Sequence, residues 1–133
     1  MELERDELLE WFSIEDCSKR IDICDISWRL EEIVFTIIKE TSDNIEQKQR
    51  CELIWNSSDM ISYHVSDETY RADYWGTAEE FNEKGRFYAR KKSEYLKKMQ
   101  EMSPLFPEKA IHFTMVGTNI VVDVIAKNYP NVK

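Results

Sequence analysis

The chain has 133 residues, of which 42% are hydrophobic and 12% aromatic, so it can bury the core of one domain. We therefore predict a single domain over residues 1–133. A formal net charge of −8 disfavours a surface devoted to nucleic acid, and no apolar run approaches the roughly 20 residues of a membrane span. Residues 1–7 are acidic and lack the basic and apolar regions of a secretory signal, which predicts a cytoplasmic protein.

The N-terminal region predicts a helical segment followed by an ambiguous one. Ser13 and the acids after it resemble a helix start, because serine caps a first turn and the helix dipole favours carboxylates there. Apolar residues then recur at three- and four-residue steps, at Ile14, Cys17, Ile21, Cys24 and Trp28. Residues 28–40 fit a helix by spacing, but residues 33–38 are all β-branched or aromatic, which suits a buried strand. We favour the strand and keep the helix open.

Residues 48–66 predict a β-hairpin. Apolar and polar residues alternate on both sides of the loop 57–59, which places Cys51, Leu53, Trp55, Ile61, Tyr63 and Val65 on one face. A three-residue loop would pair Trp55 with Ile61. On the opposite face, Glu52 would then lie across from His64.

A loop and a long helix are predicted next. Residues 67–76 are polar and aromatic without a period, and Thr77 with Glu80 then forms a capping box. The predicted helix covers about 78–102, with one apolar face, and Pro104 stops it. Residues 84–98 hold seven lysines and arginines against one acid. This basic helix is a candidate contact for nucleic acid or a regulatory partner, although the overall charge makes nucleic acid a weaker partner than a protein.

The C-terminal segment predicts a second hairpin over about 110–126. Gly117 and Thr118 would form a two-residue turn, which pairs Phe113 with Val122 and places His112 opposite Asp123. The predicted fold is therefore α+β. Its antiparallel sheet comprises the two hairpins and a possible strand at 28–40, and the N-terminal helical segment and the helix at 78–102 cover it.

The sequence predicts no metal and no cofactor. Its three cysteines form no C-x-x-C pair, and we expect them to be reduced and mostly buried. The three glycines, at positions 76, 85 and 117, cannot build a nucleotide-binding glycine motif.

Two histidine–carboxylate pairs are the candidate catalytic groups. His64 with Glu52, and His112 with Asp123, could perform acid–base chemistry, because a neighbouring carboxylate orients an imidazole and favours its charged form. No third partner is evident in the sequence. A small enzyme or ligand-binding domain is therefore the alternative hypothesis, and we assign no catalytic residue.

The preferred hypothesis is a binding function. The stretch after Tyr63 combines aromatic, acidic and arginine side chains, of which we predict Asp67, Glu68, Tyr70, Arg71, Asp73 and Tyr74 to contact a partner. Tyrosine and arginine dominate interface hot spots, and the acids would steer a basic protein towards them. We predict an acidic protein-binding module of the bacterial immunity or inhibitor type, which masks a basic partner such as a toxin. The oligomeric state is left open.

Overall fold

The computed structural model describes residues 8–9, 21–40, 48–67, 87–117 and 120–133. Within these ranges, the strands are β1 (Leu8–Leu9), β2 (Ile21–Trp28), β3 (Glu32–Glu40), β4 (Lys48–Asn56), β5 (Met60–Asp67), β6 (Phe87–Arg90), β7 (Ile111–Val116), β8 (Ile120–Ala126) and β9 (Asn131–Val132), and the helix is α1 (Glu94–Met102). The predicted α+β class, dominated by antiparallel strands, is confirmed in this broad sense. The part of the chain that is described contains no helix long and apolar enough to cross a membrane.

The strands form two antiparallel sheets that pack face to face. One sheet has the order β1-β6-β7-β8-β5, and the other has the order β2-β3-β4-β9. Their inner faces share one core, whose buried residues include Ile33, Phe35, Ile37, Leu53, Trp55, Phe113, Met115, Val122 and Val124. Helix α1 lies on the outer face of the five-stranded sheet, where Leu96 packs against Ile125. The described residues therefore form a sheet–sheet–helix arrangement.

Trp55 lies at the centre of the core. Its ring makes edge-to-face contacts with Phe35 and Phe113, at centroid distances of 5.4 and 5.3 Å. Its Nε1 donates to the carbonyl oxygen of Asn128 at 3.0 Å, so the indole N–H is satisfied despite burial. Trp55 on β4 thus contacts its own sheet through Phe35, the other sheet through Phe113, and the segment before β9 through Asn128.

The predicted N-terminal helix is wrong over residues 21–28, which form strand β2. A β-bulge at Cys24 shifts the register between Ile23 and Asp25. Because the bulge adds a residue, Ile21 and Trp28 lie on the same face of β2 although they are seven residues apart, and a spacing of seven is also about two turns of a helix. Residues 10–20 of the predicted segment lie outside the described residues, and Leu8–Leu9 is a short strand.

The strand predicted within 28–40 is present as β3, which pairs with both β2 and β4. The hairpin predicted at 48–66 is wrong in its pairing, although both of its strands exist. Strand β4 pairs with β3 and β9, whereas β5 pairs with β8 in the other sheet. The turn at 57–59 therefore carries the chain from one sheet to the other. Trp55 and Ile61 are not cross-strand partners.

The helix predicted at 78–102 is wrong over residues 87–90, which form strand β6 beside β7. The helix begins at Glu94 and ends at Met102, close to the predicted end. Residues 78–86, like the predicted capping box at Thr77 and Glu80, lie outside the described residues.

The C-terminal hairpin is present, but its register differs by two residues from the prediction. Phe113 pairs with Val124, and Val116 with Val121, so the connection is longer than a two-residue turn. Gly117 donates its backbone N–H to the carbonyl oxygen of Ile120 at 2.8 Å. A shift of two keeps every side chain on its predicted face, because strand side chains alternate with a period of two.

Candidate functional site

Of the predicted partner-binding residues, the structure describes Asp67. This residue ends β5, and its side chain is exposed. The others, Glu68, Tyr70, Arg71, Asp73 and Tyr74, lie outside the described residues, so their role stays a prediction.

The predicted pair of His64 with Glu52 is not formed. His64 lies on β5 with Asp123 as its cross-strand neighbour, whereas Glu52 lies in the other sheet. The Glu52 carboxylate is instead 3.7 Å from Arg29 and 3.9 Å from Arg50. These are partly exposed ion pairs, which contribute little to stability because water screens them.

The predicted contact between His112 and Asp123 is present, within a larger cluster that we call the buried histidine network: Ser93, His112, Thr114 and Asp123. His112 Nε2 lies 2.7 Å from Asp123 Oδ1, and His112 Nδ1 lies 2.7 Å from Ser93 Oγ. The Thr114 hydroxyl donates to the same carboxylate oxygen at 3.0 Å. His112, Thr114 and Asp123 are all buried to at least 99%.

The hydrogen-bond roles follow from the chemistry of the groups. An ionised Asp123 only accepts, so Nε2 of His112 carries the proton that it shares. The Nδ1 of a neutral imidazole then accepts from the Ser93 hydroxyl. Ser93 also caps α1, because its Oγ accepts the Leu96 backbone N–H at 3.0 Å. The network therefore joins the start of the helix to the sheet beneath it.

Sequence reasoning missed Ser93. Its signal was present, because a serine followed by an acid and then by apolar residues at 96 and 99 is typical of a helix start. The long helix predicted across this region concealed it.

A serine, a histidine and an aspartate joined by hydrogen bonds are also the groups of a catalytic site in which serine is the nucleophile. Here His112 contacts Ser93 through Nδ1 and Asp123 through Nε2, and both His112 and Asp123 are buried. Reaction chemistry would have to occur at the partly exposed Ser93.

The ring of Tyr95 lies between the two histidines. Its centroid is 5.1 Å from that of the His112 ring and 6.5 Å from that of the His64 ring.

The basic stretch 84–98 does not form one helix. Among its described residues, Arg90 ends strand β6 and is only 4% exposed, whereas Lys91 and Lys92 are exposed in the connection to α1. A buried guanidinium cannot contact phosphate from solution. The structure therefore gives no continuous basic helix for nucleic acid, and the prediction of one over 84–98 is wrong.

A second surface lies where the edges of the two sheets meet. Strand β2 is an edge of the four-stranded sheet and β5 is an edge of the five-stranded sheet, and the two strands are in contact through Trp28 and Tyr63. Trp28 Nε1 donates to the Tyr63 hydroxyl at 3.2 Å, and their rings lie 6.0 Å apart. We call this surface the acidic edge, formed by residues 21–32 and 59–67.

Large apolar side chains are exposed on the acidic edge. Trp28 is 63% exposed, Leu30 at the turn after β2 is 99% exposed, and Val65 on β5 is 42% exposed. The segments that form the edge contain six acids and one base, Arg29. The acids are Asp22, Asp25, Glu31, Glu32, Asp59 and Asp67. Apolar area surrounded by one sign of charge is a recognised mark of an interaction surface.

Of the three cysteines, the structure describes Cys24 and Cys51. Cys51 is partly buried, but Cys24 is exposed at the bulge of β2, whereas burial was expected. Its Sγ lies 3.5 Å from the carbonyl oxygen of Thr36. Within the described ranges, no three His, Cys, Asp or Glu side chains are grouped as a metal site would require.

Comparisons with known proteins add no assignment. No protein-family model matches the chain, and searches of curated proteins and of solved structures find no match.

Proposed function

We propose that the chain is an acidic protein-binding module of the bacterial immunity or inhibitor type, and that its acidic edge binds a basic protein. The observation that carries this proposal is the state of Trp28. The residue is 63% exposed, yet its indole N–H donates to the Tyr63 hydroxyl and its ring contacts the Tyr63 ring. An exposed aromatic residue fixed in one orientation loses little entropy on binding, which is the property of an interface hot spot.

The charge of the edge selects the partner. Asp22 and Asp25 are exposed on β2, and Asp67 is exposed at the end of β5. Their shared field would raise the association rate of a basic protein and repel an acidic one. In the sequence, the predicted contact residues Glu68, Tyr70, Arg71, Asp73 and Tyr74 follow Asp67.

A paired affinity experiment tests the proposal. Wild-type chain, Trp28→Ala and Met102→Ala serve as baits in a lysate of the source cells, and bound proteins are identified by mass spectrometry. Met102 is a matched control, because it is 78% exposed but lies at the end of α1. We expect a basic protein that is lost with Trp28→Ala and kept with Met102→Ala.

The captured protein is then purified and titrated against each bait by calorimetry. Replacement of Trp28 should weaken binding by about 2 kcal/mol, as for a hot-spot residue, and Met102→Ala should leave the Kd unchanged. Capture that is indifferent to Trp28, or an acidic binding protein, would contradict the proposal.

A second candidate function is hydrolysis at Ser93, favoured by the Ser93–His112–Asp123 chain of hydrogen bonds. A fluorophosphonate reagent would bond to Ser93 Oγ and release fluoride, while the hydroxyl proton passes to His112 Nδ1. Labelling of Ser93 that disappears in His112→Gln would support this candidate. An unlabelled wild-type chain would reject it.

A further inference from the structure

We infer that β5 is the strand of the acidic edge to which the partner attaches, and that the partner adds an extended, basic segment as a new strand of the five-stranded sheet. This inference rests on the proposed function and specifies its mode. Strand addition uses main-chain hydrogen bonds for affinity and alternate side chains for specificity.

The edges of the two sheets differ in what they offer. Among the described residues, β1 and β9 are edge strands of two residues each, and β2 is interrupted by its bulge at Cys24. Strand β5 has its register irregularity at its start, between Met60 and Ser62, and then pairs regularly with β8 over Ser62–Asp67. It is thus the longest uninterrupted edge among the four.

The composition of this six-residue stretch lacks the usual protection. Edge strands normally avoid pairing with other chains by carrying lysine, proline or a bulge. Residues 62–67 contain no lysine, arginine, proline or glycine. The side chains of His64, Val65 and Asp67 are exposed at this end of the strand.

The two faces of β5 specify the added strand. Tyr63, Val65 and Asp67 share the face that carries Trp28, because residues two apart point to the same side. An added strand would therefore place apolar residues beside Tyr63 and Val65 and a basic residue beside Asp67. The other face presents small or polar residues at 62, 64 and 66 and accepts polar partners.

A designed peptide tests this geometry. In antiparallel register, the peptide Lys-Thr-Val-Thr-Val-Thr places its lysine opposite Asp67 and its valines opposite Val65 and Tyr63. Titration of the isotope-labelled full chain by NMR should give saturable shifts centred on residues 62–67, with a Kd below about 1 mM. The peptide that begins with glutamate should bind at least about fivefold more weakly, because it meets Asp67 with like charge.

Backbone methylation separates strand addition from binding through side chains alone. In an antiparallel pair, alternate residues direct their N–H groups towards the neighbouring strand. Two peptides, N-methylated on the odd or on the even residues, should therefore differ: one should bind about tenfold more weakly, and the other should stay close to the parent. Equal affinities for both methylated peptides would overturn the inference.

A matched pair of protein variants completes the test. Val65 and Val132 are 42% and 44% exposed, but they lie on β5 and on β9. Val65→Lys should weaken binding of the lysine peptide about tenfold, and Val132→Lys should change it less than about twofold. Equal effects would overturn the inference. A concentration-dependent dimer of the chain that Val65→Lys abolishes would do the same, since a second copy would then occupy β5.

These outcomes are distinct from failure of the proposed function. A partner that depends on Trp28, together with peptides insensitive to methylation, would reject strand addition and leave the acidic edge as the binding surface. Loss of the Trp28 dependence would reject the proposed surface itself.

Discussion

Ser93 connects the start of α1 to the five-stranded sheet through two hydrogen bonds. Its Oγ accepts the Leu96 N–H at 3.0 Å and bonds to His112 Nδ1 at 2.7 Å. Ser93→Ala removes both interactions at once. Loss of an N-cap costs about 1 kcal/mol, and loss of one partly buried hydrogen bond costs about 1 kcal/mol more. We therefore expect this variant to lose about 2 kcal/mol of its free energy of unfolding.

Equilibrium urea denaturation measures this loss. For a domain of this size, 2 kcal/mol corresponds to a decrease of about 1 M in the midpoint concentration of urea. Ser93→Gly separates the two contributions, because glycine is nearly as good a cap as serine but lacks the hydroxyl. It should lose about 1 kcal/mol, which is the His112 contribution alone.

Ser103→Ala is the matched control at the other end of α1. The Ser103 hydroxyl accepts the Leu105 N–H at 3.2 Å at an exposed position, without an imidazole partner. Its replacement should change stability by less than about 0.5 kcal/mol. A Ser93→Ala variant as stable as this control would show that the buried histidine network does not hold the helix. If Ser93→Gly and Ser93→Ala lose the same free energy of unfolding, the assignment of separate contributions to the N-cap and to the hydrogen bond with His112 is refuted.

Three further results are expected. Burial raises the pKa of Tyr129. Above about pH 10 the unfolded chain therefore loses the phenol proton more readily than the folded chain, and stability falls as pH rises. The midpoint concentration of urea should decrease between pH 9 and pH 11, and this decrease should be smaller for Tyr129→Phe than for the wild-type chain. Asp25→Lys should slow association with the basic partner in stopped-flow mixing at low salt, with little effect at high salt or on the melting temperature. Gly117→Ala places a methyl group 3.0 Å from the Ile120 carbonyl oxygen, so thermal unfolding should show a loss of about 1 kcal/mol; unchanged stability would contradict this packing argument.

The strands on both sides of residues 57–59 could be predicted from the sequence, but their partners could not. Alternation of apolar and polar residues shows which side chains face a core. Leu53 on β4 and Tyr63 on β5 do belong to one core, as predicted. They reach it from opposite sheets, and alternation is identical whether two strands pair beside each other or face each other across a sandwich. Which strands become hydrogen-bonded neighbours depends on the rest of the chain, and the alternation pattern within one strand carries no information about it.

The errors over residues 21–28 and 87–90 have a different cause. In β2, the bulge at Cys24 places Ile21 and Trp28 on one face although they are seven residues apart, so a helical spacing appears within a strand. Strand β6 is only four residues long, too short to show a period, and three residues separate it from helix α1. Short or bulged strands are therefore the elements that periodicity assigns least well.

The histidine network shows why a wrong register still gave a correct contact. The prediction placed His112 directly opposite Asp123, whereas the cross-strand neighbour of Asp123 on β7 is Thr114. Because the error is two residues, His112 stays on the same face, and its imidazole reaches diagonally to the carboxylate at 2.7 Å. An error of one residue would have placed the two groups on opposite faces of the sheet. Local alternation thus determines which face of the sheet each polar residue occupies. The turn determines the register, and the His112 side chain is long enough to reach Asp123 despite a register error of two residues.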